Sequence, residues 1–291
     1  MSELPASRAA GPVQVSATVV SVRAEGAYTR IVLEAPQPAG RAVPGQFVAL
    51  AVGTAHPGTA PTATLLRRCF SIAGAEGDRL SLLISAKGPG STWLTRRQDG
   101  DTVDLLGPLG HPFPAPAAGA ATVLVAGGYG AAPMLWWAEL LLASGHPVAC
   151  VFGAASADRI AEAATIAEIG VPVFITTDDG TLGAKGRVTD LLAEAFEAAD
   201  PRRTGAPVEV YACGPMAMLR AVTERAGEID RRTITWCATE ESMACGIGVC
   251  MTCVLPVRQS DGSLRMSRTC TDGPTFAGTD IGWDEIGRVL A

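Results

Sequence analysis

The hydrophobic rhythm of this chain changes once, near residue 120, and that change limits what it can fold into. Upstream, apolar and polar residues alternate in short runs, such as Gln14-Val15-Ser16-Ala17-Thr18-Val19-Val20 and Thr29-Arg30-Ile31-Val32-Leu33-Glu34. A period of two, broken by Gly and Pro, predicts antiparallel strands. Further runs at 46–52, 68–73, 80–85 and 102–105 bring the number to five or six, enough for a small β-barrel. Residues 53–64, rich in Gly, Pro, Thr and Ala, are expected to form an exposed loop, and 112–119 a linker. Downstream, Ala121-Thr122-Val123-Leu124-Val125-Ala126 is nearly continuous in apolar residues, as in a strand buried on both faces of a parallel sheet. Helices are then predicted at 132–144, 160–169, 188–199 and 216–228, with strands at 148–152, 171–176 and 208–212 between them. This β-α alternation implies an open, doubly wound sheet. One more strand and turn are expected at 233–241. The expected division is a barrel domain at 12–114, an α/β domain at 120–230 and a small C-terminal module at 231–291.

Hydrophobic residues make up 48% of the 291 and charged ones 18%, which gives a sizeable core, and the net charge of −6 gives nucleic acid no footing. Basic pairs such as Arg67-Arg68 and Arg96-Arg97 are short and scattered. No basic stretch leads into an apolar one near the N-terminus, and the apolar runs at 131–143 and 122–125 are too short to span a bilayer. The expectation is a soluble, cytoplasmic protein with no membrane partner. Eight cysteines in a reducing compartment point to metal or redox chemistry rather than disulfides.

Four of them form the strongest motif: Cys245, Cys250, Cys253 and Cys270, spaced C-x4-C-x2-C-x16-C. That is the spacing of plant-type [2Fe-2S] clusters. Gly246 and Gly248 would let the loop curl while its amides point at sulfur. A structural zinc site is the plainer alternative, but such sites usually pair two short knuckles, and no second cysteine neighbours Cys270.

A second motif is Arg68-Cys69-Phe70-Ser71. On a strand, Arg68 and Phe70 share one face while Cys69 and Ser71 share the other. Arg68 could clamp a diphosphate through its planar fork, and Phe70 could lie beside an aromatic ring. Gly88-Pro89-Gly90-Ser91 opens a helix at 92–97 that could help cradle the same diphosphate. The plain alternative is a surface arginine and an ordinary glycine turn. A third motif, Gly127-Gly128-Tyr129-Gly130-Ala131-Ala132-Pro133, follows the strand at 121–126, and Cys213-Gly214-Pro215 follows the strand at 208–212. Both would lie at the carboxyl edge of the sheet, where ligands of such folds bind. Trp136 and Trp137 are expected to pack a helix, and Asp178-Asp179-Gly180 to make a turn.

Taken in order, these motifs resemble the ferredoxin–NADP reductase superfamily, and within it the electron-transfer subunit of class 1B dihydroorotate dehydrogenase. Pro44-Gly45-Gln46-Phe47, Gly107-Pro108-Leu109-Gly110, Glu240-Glu241-Ser242-Met243-Ala244-Cys245 and Cys270-Thr271-Asp272-Gly273-Pro274 carry the resemblance alongside the motifs above. The resemblance implies FAD held by Arg68 and Ser71, with Leu83, Ile84, Ser85, Gly90 and Ser91 lining the rest of its site. It implies NAD(H) at Gly127, Gly128, Gly130, Pro133, Cys213, Gly214 and Pro215, although Arg159 leaves NADPH open. Two residues depart from the pattern: Cys69 stands where the family usually has proline, and Ser85 where some members carry arginine. Electrons would run from NADH through FAD and the [2Fe-2S] cluster to the FMN of a catalytic subunit that acts in pyrimidine biosynthesis, within a heterotetramer. A stand-alone NAD(P)H reductase serving an oxygenase or a ferredoxin is one alternative. A zinc-stabilised, non-enzymatic interaction module is another.

Overall fold

Alternation in the first hundred residues closes a barrel. The computed structural model describes residues 4, 11–53, 66–200, 205 and 207–287, so the loop expected at 53–64 lies almost wholly outside the described residues. Strands β1 (Val13–Glu25), β2 (Tyr28–Glu34), β3 (Phe47–Leu50), β4 (Arg68–Glu76), β5 (Arg79–Ile84) and β6 (Thr102–Leu109) pair antiparallel in the closed order β1-β2-β5-β4-β3-β6. Every second residue fills the interior: Leu80, Leu82 and Ile84 of β5 meet Ile31 and Leu33 of β2, all essentially unexposed. Two short helices, α1 (Pro36–Ala39) and α2 (Pro89–Leu94), interrupt the strands, and Leu94 of α2 is buried in the barrel core.

The second layer is a seven-stranded sheet. It is formed by β7 (Ala121–Gly127), β8 (Val148–Ala154), β9 (Val173–Thr177), β10 (Ala184–Lys185), β11 (Val208–Cys213), β12 (Ile234–Ala238) and β15 (Thr275–Ala277), in the order β10-β9-β8-β7-β11-β12-β15. All neighbours are parallel except β15, which runs antiparallel to β12. Helix α3 (Ala131–Ala143) covers one face, meeting Leu124, Cys150 and Phe152; the short α4 (Ala163–Glu168) contributes Ile166 to the same core. Helices α5 (Leu192–Ala199) and α6 (Met216–Ile229) cover the other face, against Val123, Val125 and Val151. The helix expected at 188–199 starts as one turn of 3-10 helix over Val188–Leu191.

Strand β12 moves the expected boundary at 230. It pairs in parallel with β11, Tyr211 opposite Trp236, and so completes the nucleotide-type sheet rather than opening a separate module. Ile234 is exposed and Trp236 half-buried, so this strand alternates and lacks the continuous apolar run of β7. Beyond it stands a hairpin of β13 (Val254–Arg258) and β14 (Leu264–Arg268), flanked by the two cysteine segments.

Barrel and sheet are fastened at two places. Buried Glu209 accepts hydrogen bonds from the Ala117 amide (2.7 Å), the Tyr211 hydroxyl (3.2 Å) and the Trp236 indole (3.3 Å), pinning the linker to β11. Trp137 stacks with linker Phe113 at 6.5 Å, while Trp136 joins the barrel core; both tryptophans serve packing. On the far side, the Ala27 amide donates to the Asp158 carbonyl (2.8 Å) and Arg30 pairs with Glu162. Among the described residues no helix is long and apolar enough to cross a membrane.

Candidate functional site

Strand β4, the carboxyl ends of β7 and β11, and the segment after β12 enclose a cavity of about 310 Å³. Of the residues expected around a flavin, Arg68, Cys69, Phe70, Ser71, Leu83, Ser85 and Ser91 line it. Ile84 does not. It is fully buried in the barrel core, because alternation along β5 turns it away from its neighbours Leu83 and Ser85. Gly90 also stays behind the wall: a Cβ there would meet Val52 at 2.9 Å and the Arg68 side chain at 3.1 Å, so its lack of one lets α2 close on Arg68. Arg68 Nη1 donates to the carbonyl of Leu66 at 2.8 Å. Ser91 Oγ accepts from the amides of Lys87 (3.0 Å) and Gly88 (3.1 Å), a use of the hydroxyl inside the turn itself.

The two glycine turns read separately from sequence lie in contact. A Cβ on Gly130 would strike the Cys213 carbonyl at 2.3 Å, and one on Gly214 would meet Gly127 backbone at 3.1 Å. Together they serve two adjoining cavities. Gly130, Pro133, Cys213 and Gly214 line the first, while Gly127, Gly128 and Pro215 line a second of about 330 Å³ between the ends of β7, β8 and β9. Lys87 and Tyr129 line both, with Lys87 Nζ 3.2 Å from the Tyr129 hydroxyl and 4.5 Å from its ring centroid. Asp178, Arg159 and Arg187 line the second cavity, and Asp178 pairs with Arg187 at 3.5 Å.

Glu240, Glu241 and Met243 carry the first cavity's wall toward the cysteines. Burial raises the Glu240 carboxyl above its ordinary range, with Lys87 pulling the other way; burial likewise raises Glu241. Beyond this wall the four expected thiols gather. Cys253 and Cys270 are buried, Cys245 is half-buried and Cys250 exposed. Cys245 is a neighbour of Cys250, and Cys253 of Cys270. Hydrogen bonds from Thr252 pull the Cys250 thiol down to about 6, whereas burial pushes Cys270 up to about 12. The Gly248 amide donates to Cys270 Sγ at 3.2 Å and the Ile247 amide to Cys245 Sγ at 3.5 Å. Gly246 and Gly248 hold φ of +73° and +80°, the left-handed region where glycine costs least. Behind them, Arg268 Nη1 donates to the Gly248 carbonyl (3.3 Å), tying the loop to the end of β14, and the Gly273 carbonyl accepts from the His111 amide (2.6 Å), tying the Cys270 segment to the residues after β6.

Residues 240–282 match the family described as the iron-sulfur cluster binding domain of dihydroorotate dehydrogenase B, and residues 124–224 match the oxidoreductase NAD-binding domain. The chain is 36% identical over 238 residues to the dihydroorotate dehydrogenase B (NAD(+)) electron transfer subunit of Bacillus cereus (strain Q1), spanning 80% of this chain and 84% of that one. The chain belongs to this electron transfer subunit family. The Bacillus mycoides (strain KBAB4) member is 37% identical over the same length. Among solved structures, one of an NADH-dependent reduced ferredoxin-NADP oxidoreductase, described for flavin-based electron bifurcation, superposes with a TM-score of 0.76 at 26% identity, covering 93% of this chain and 91% of that one. The ferredoxin reductase of carbazole 1,9a-dioxygenase shares the fold, with a TM-score of 0.60 at 21% identity over 78% of this chain and 70% of its own.

The thiol set suits the cluster for which this family's domain is described. The C-x4-C-x2-C loop, with the Ile247 and Gly248 amides aimed at sulfur, fits the iron-sulfur domain that the family match describes better than the paired knuckles of a zinc site. Sequence reasoning missed Lys87, Tyr129, Glu240 and Glu241 as cavity residues. Tyr129 stood inside the glycine motif and the two glutamates inside the stretch that carried the family resemblance; Lys87 carried no local signal. Asp178, expected only to shape a turn, also lines the second cavity.

Proposed function

We propose that the chain oxidises NADH and delivers single electrons, through FAD and a [2Fe-2S] cluster, to the FMN of a dihydroorotate dehydrogenase catalytic subunit. The observation that carries this reading is the first cavity, whose wall is drawn from the barrel, the carboxyl edge of the sheet and the segment leading to the cysteines. One site open to all three units is what a relay requires. When bound, the flavin takes a hydride as two electrons and releases them one at a time, and the cluster carries one.

The protein's task is position and electrostatics. Arg68 supplies positive charge for the diphosphate, Ser71 and Phe70 meet the ring system, and Leu83 and Ser85 close its side. In the second cavity, Gly127, Gly128 and Pro215 admit the dinucleotide, and Asp178 favours a ribose hydroxyl over a 2′-phosphate. Pro133, Gly130, Cys213 and Gly214, at the junction, bring nicotinamide to flavin. Cys245, Cys250, Cys253 and Cys270 hold the cluster. We divide the chain functionally into an FAD barrel (12–114), an NAD domain (120–230, extended by β12 and β15) and the cluster module that follows. The eight free thiols suit the cytoplasm.

The docking face is the outside of the cysteine loop, where Val249 is 75% exposed, Met251 52% and Ile247 46% around exposed Cys250. Clustered exposed apolar side chains are common at interaction sites. The test is anaerobic stopped-flow spectroscopy of the loaded protein with NADH, alone and with an FMN-containing dihydroorotate dehydrogenase. Bleaching of flavin and cluster followed by reduction of the partner's FMN is the expected result. Bleaching without transfer would favour the second reading, a subunit of another flavin-based electron-transfer assembly, to which the 93% coverage of the ferredoxin-NADP oxidoreductase structure points. No bleaching by NADH or NADPH would defeat both.

A further inference from the structure

Three side chains belong both to the first cavity's wall and to the apolar layer packed on the buried cluster thiols: Phe47, Cys69 and Met243. The two cofactor sites are therefore separated by one layer of side chains. Within that layer, which also holds Ala49, Leu106 and Leu109, Cys69 is the one side chain apart from the cluster thiols that carries a polar hydrogen. Its Sγ also lies closest to the loop backbone: a Cβ built on Gly246, the residue after Cys245, would sit 3.0 Å from it, against 3.6 Å for Ala49 and Phe47. The position is half-buried on β4, two residues from Ser71, and its side chain reaches the layer packed on the cysteine loop.

Resting on the function proposed above, we infer that Cys69 is a positioning residue for the electron step between the two sites. Its thiol completes the wall the electron crosses and presents an S–H dipole to the cluster's sulfurs. One electron leaves the flavin side and one arrives on the cluster side. Cys69 itself is neither oxidised nor reduced, keeps its proton, and forms or breaks no bond. A donor beside the sulfurs stabilises the reduced, more negative cluster, so it raises the potential. A proline at this position could fill the wall but, having no polar hydrogen on its side chain, would present no donor.

The test uses the full chain loaded with both cofactors, as wild type, Cys69→Ala and Cys69→Ser. Three quantities are read: flavin and iron content, the cluster midpoint potential with its EPR spectrum by anaerobic titration, and the internal flavin-to-cluster rate. Cys69→Ala should keep both cofactors, move the midpoint negative, shift the EPR g-values and slow internal transfer several-fold. Cys69→Ser, which retains a polar hydrogen, should recover most of the potential. The inference is overturned if Cys69→Ala matches wild type in potential, spectrum and rate, or if Ser and Ala are displaced equally. Should Cys69→Ala lose its cluster, Cys69→Ser decides alone: near-wild-type potential and rate support the role, and a large displacement removes it. Wild-type protein that takes up no cluster or flavin would instead defeat the functional reading on which this rests.

Discussion

The two halves of the cysteine loop are built on opposite terms. Cys253 and Cys270 are each 2% exposed and press against Phe47, Ala49 and Leu109 of the barrel. Cys250 stands in solvent between Val249 and Met251, two of the most exposed large apolar residues in the described chain. The inner half is made like a core, with sulfur replacing aliphatic side chains. The outer half is made like an interface awaiting its partner. The contrast teaches that one loop both holds a cofactor and offers it outward, and that the two duties fall on different residues.

The sharpest way to break the contrast is to damage each half separately. Cys253→Ser or Cys270→Ser should abolish most cluster absorbance and lower the melting temperature, because each also leaves a hydroxyl in an apolar layer, worth about 1–3 kcal/mol. Cys250→Ser should lose the cluster as fully but leave the apoprotein's melting temperature close to wild type. Iron content and thermal melts of the apoproteins check this, and equal destabilisation at Cys250 and Cys253 would erase the distinction between the halves.

Next in size is Gly248→Ala. Its φ of +80° costs an L-residue about 1–2 kcal/mol, and the new Cβ would stand 2.8 Å from Thr271 Cγ2, on the segment carrying Cys270. Reduced cluster occupancy is expected, with flavin content unchanged. On the outer half, Val249→Asp should load both cofactors normally and be reduced by NADH at the wild-type rate, yet bind the catalytic subunit about tenfold more weakly, the ~1.4 kcal/mol typical of a modest interface anchor. A titration of the partner's FMN reduction against subunit concentration measures it. Unchanged partner binding would move the docking face elsewhere.

Much of this arrangement is visible in the sequence, and what is hidden follows one rule. The C-x4-C-x2-C spacing is a property of nine consecutive residues, so it announces its loop without tertiary knowledge. The strands β7, β8 and β11 are buried on both faces and read as nearly continuous apolar runs, broken by Thr122 in β7 and Glu209 in β11. Ile84, expected beside the flavin, points its side chain into the barrel core, as the period of two already implies. Strand β12 falls outside the sheet in the sequence reading because one of its faces is partly open to solvent and so alternates, the same signal the barrel gives. Lys87, Tyr129 and Glu240 meet only where three chain segments end together, and no local pattern encodes such a meeting. Cys69 is the mixed case. Alternation separated it from Arg68 and Phe70, but only the fold reveals that the cluster loop lies on its other side.

The smallest expected effect tests the tie between the two cysteine segments. The Arg268 amide donates to Asp272 Oδ2 at 2.9 Å, and the guanidinium stands 3.5 Å from Oδ1 while also reaching Gly248. Burial works against ionising the Asp272 carboxyl, but these contacts outweigh it and hold the group below the usual carboxylate range. A carboxyl whose pKa is lower folded than unfolded contributes stability above its unfolded value and loses it as pH falls through the folded one. The ion pair is about one-third exposed on each side, so solvent screening limits it to roughly 0.5–1 kcal/mol. Asp272→Asn should therefore release the cluster slightly more readily at neutral pH and flatten the acid limb of release. Visible circular dichroism followed from about pH 7 into the acid range, at low and high salt, measures this. Because the buried thiols hold the inner half independently of charge, high salt should shrink the difference without removing the cluster. An acid limb identical in wild type and Asp272→Asn would show that Arg268 joins the two halves through the Gly248 carbonyl alone.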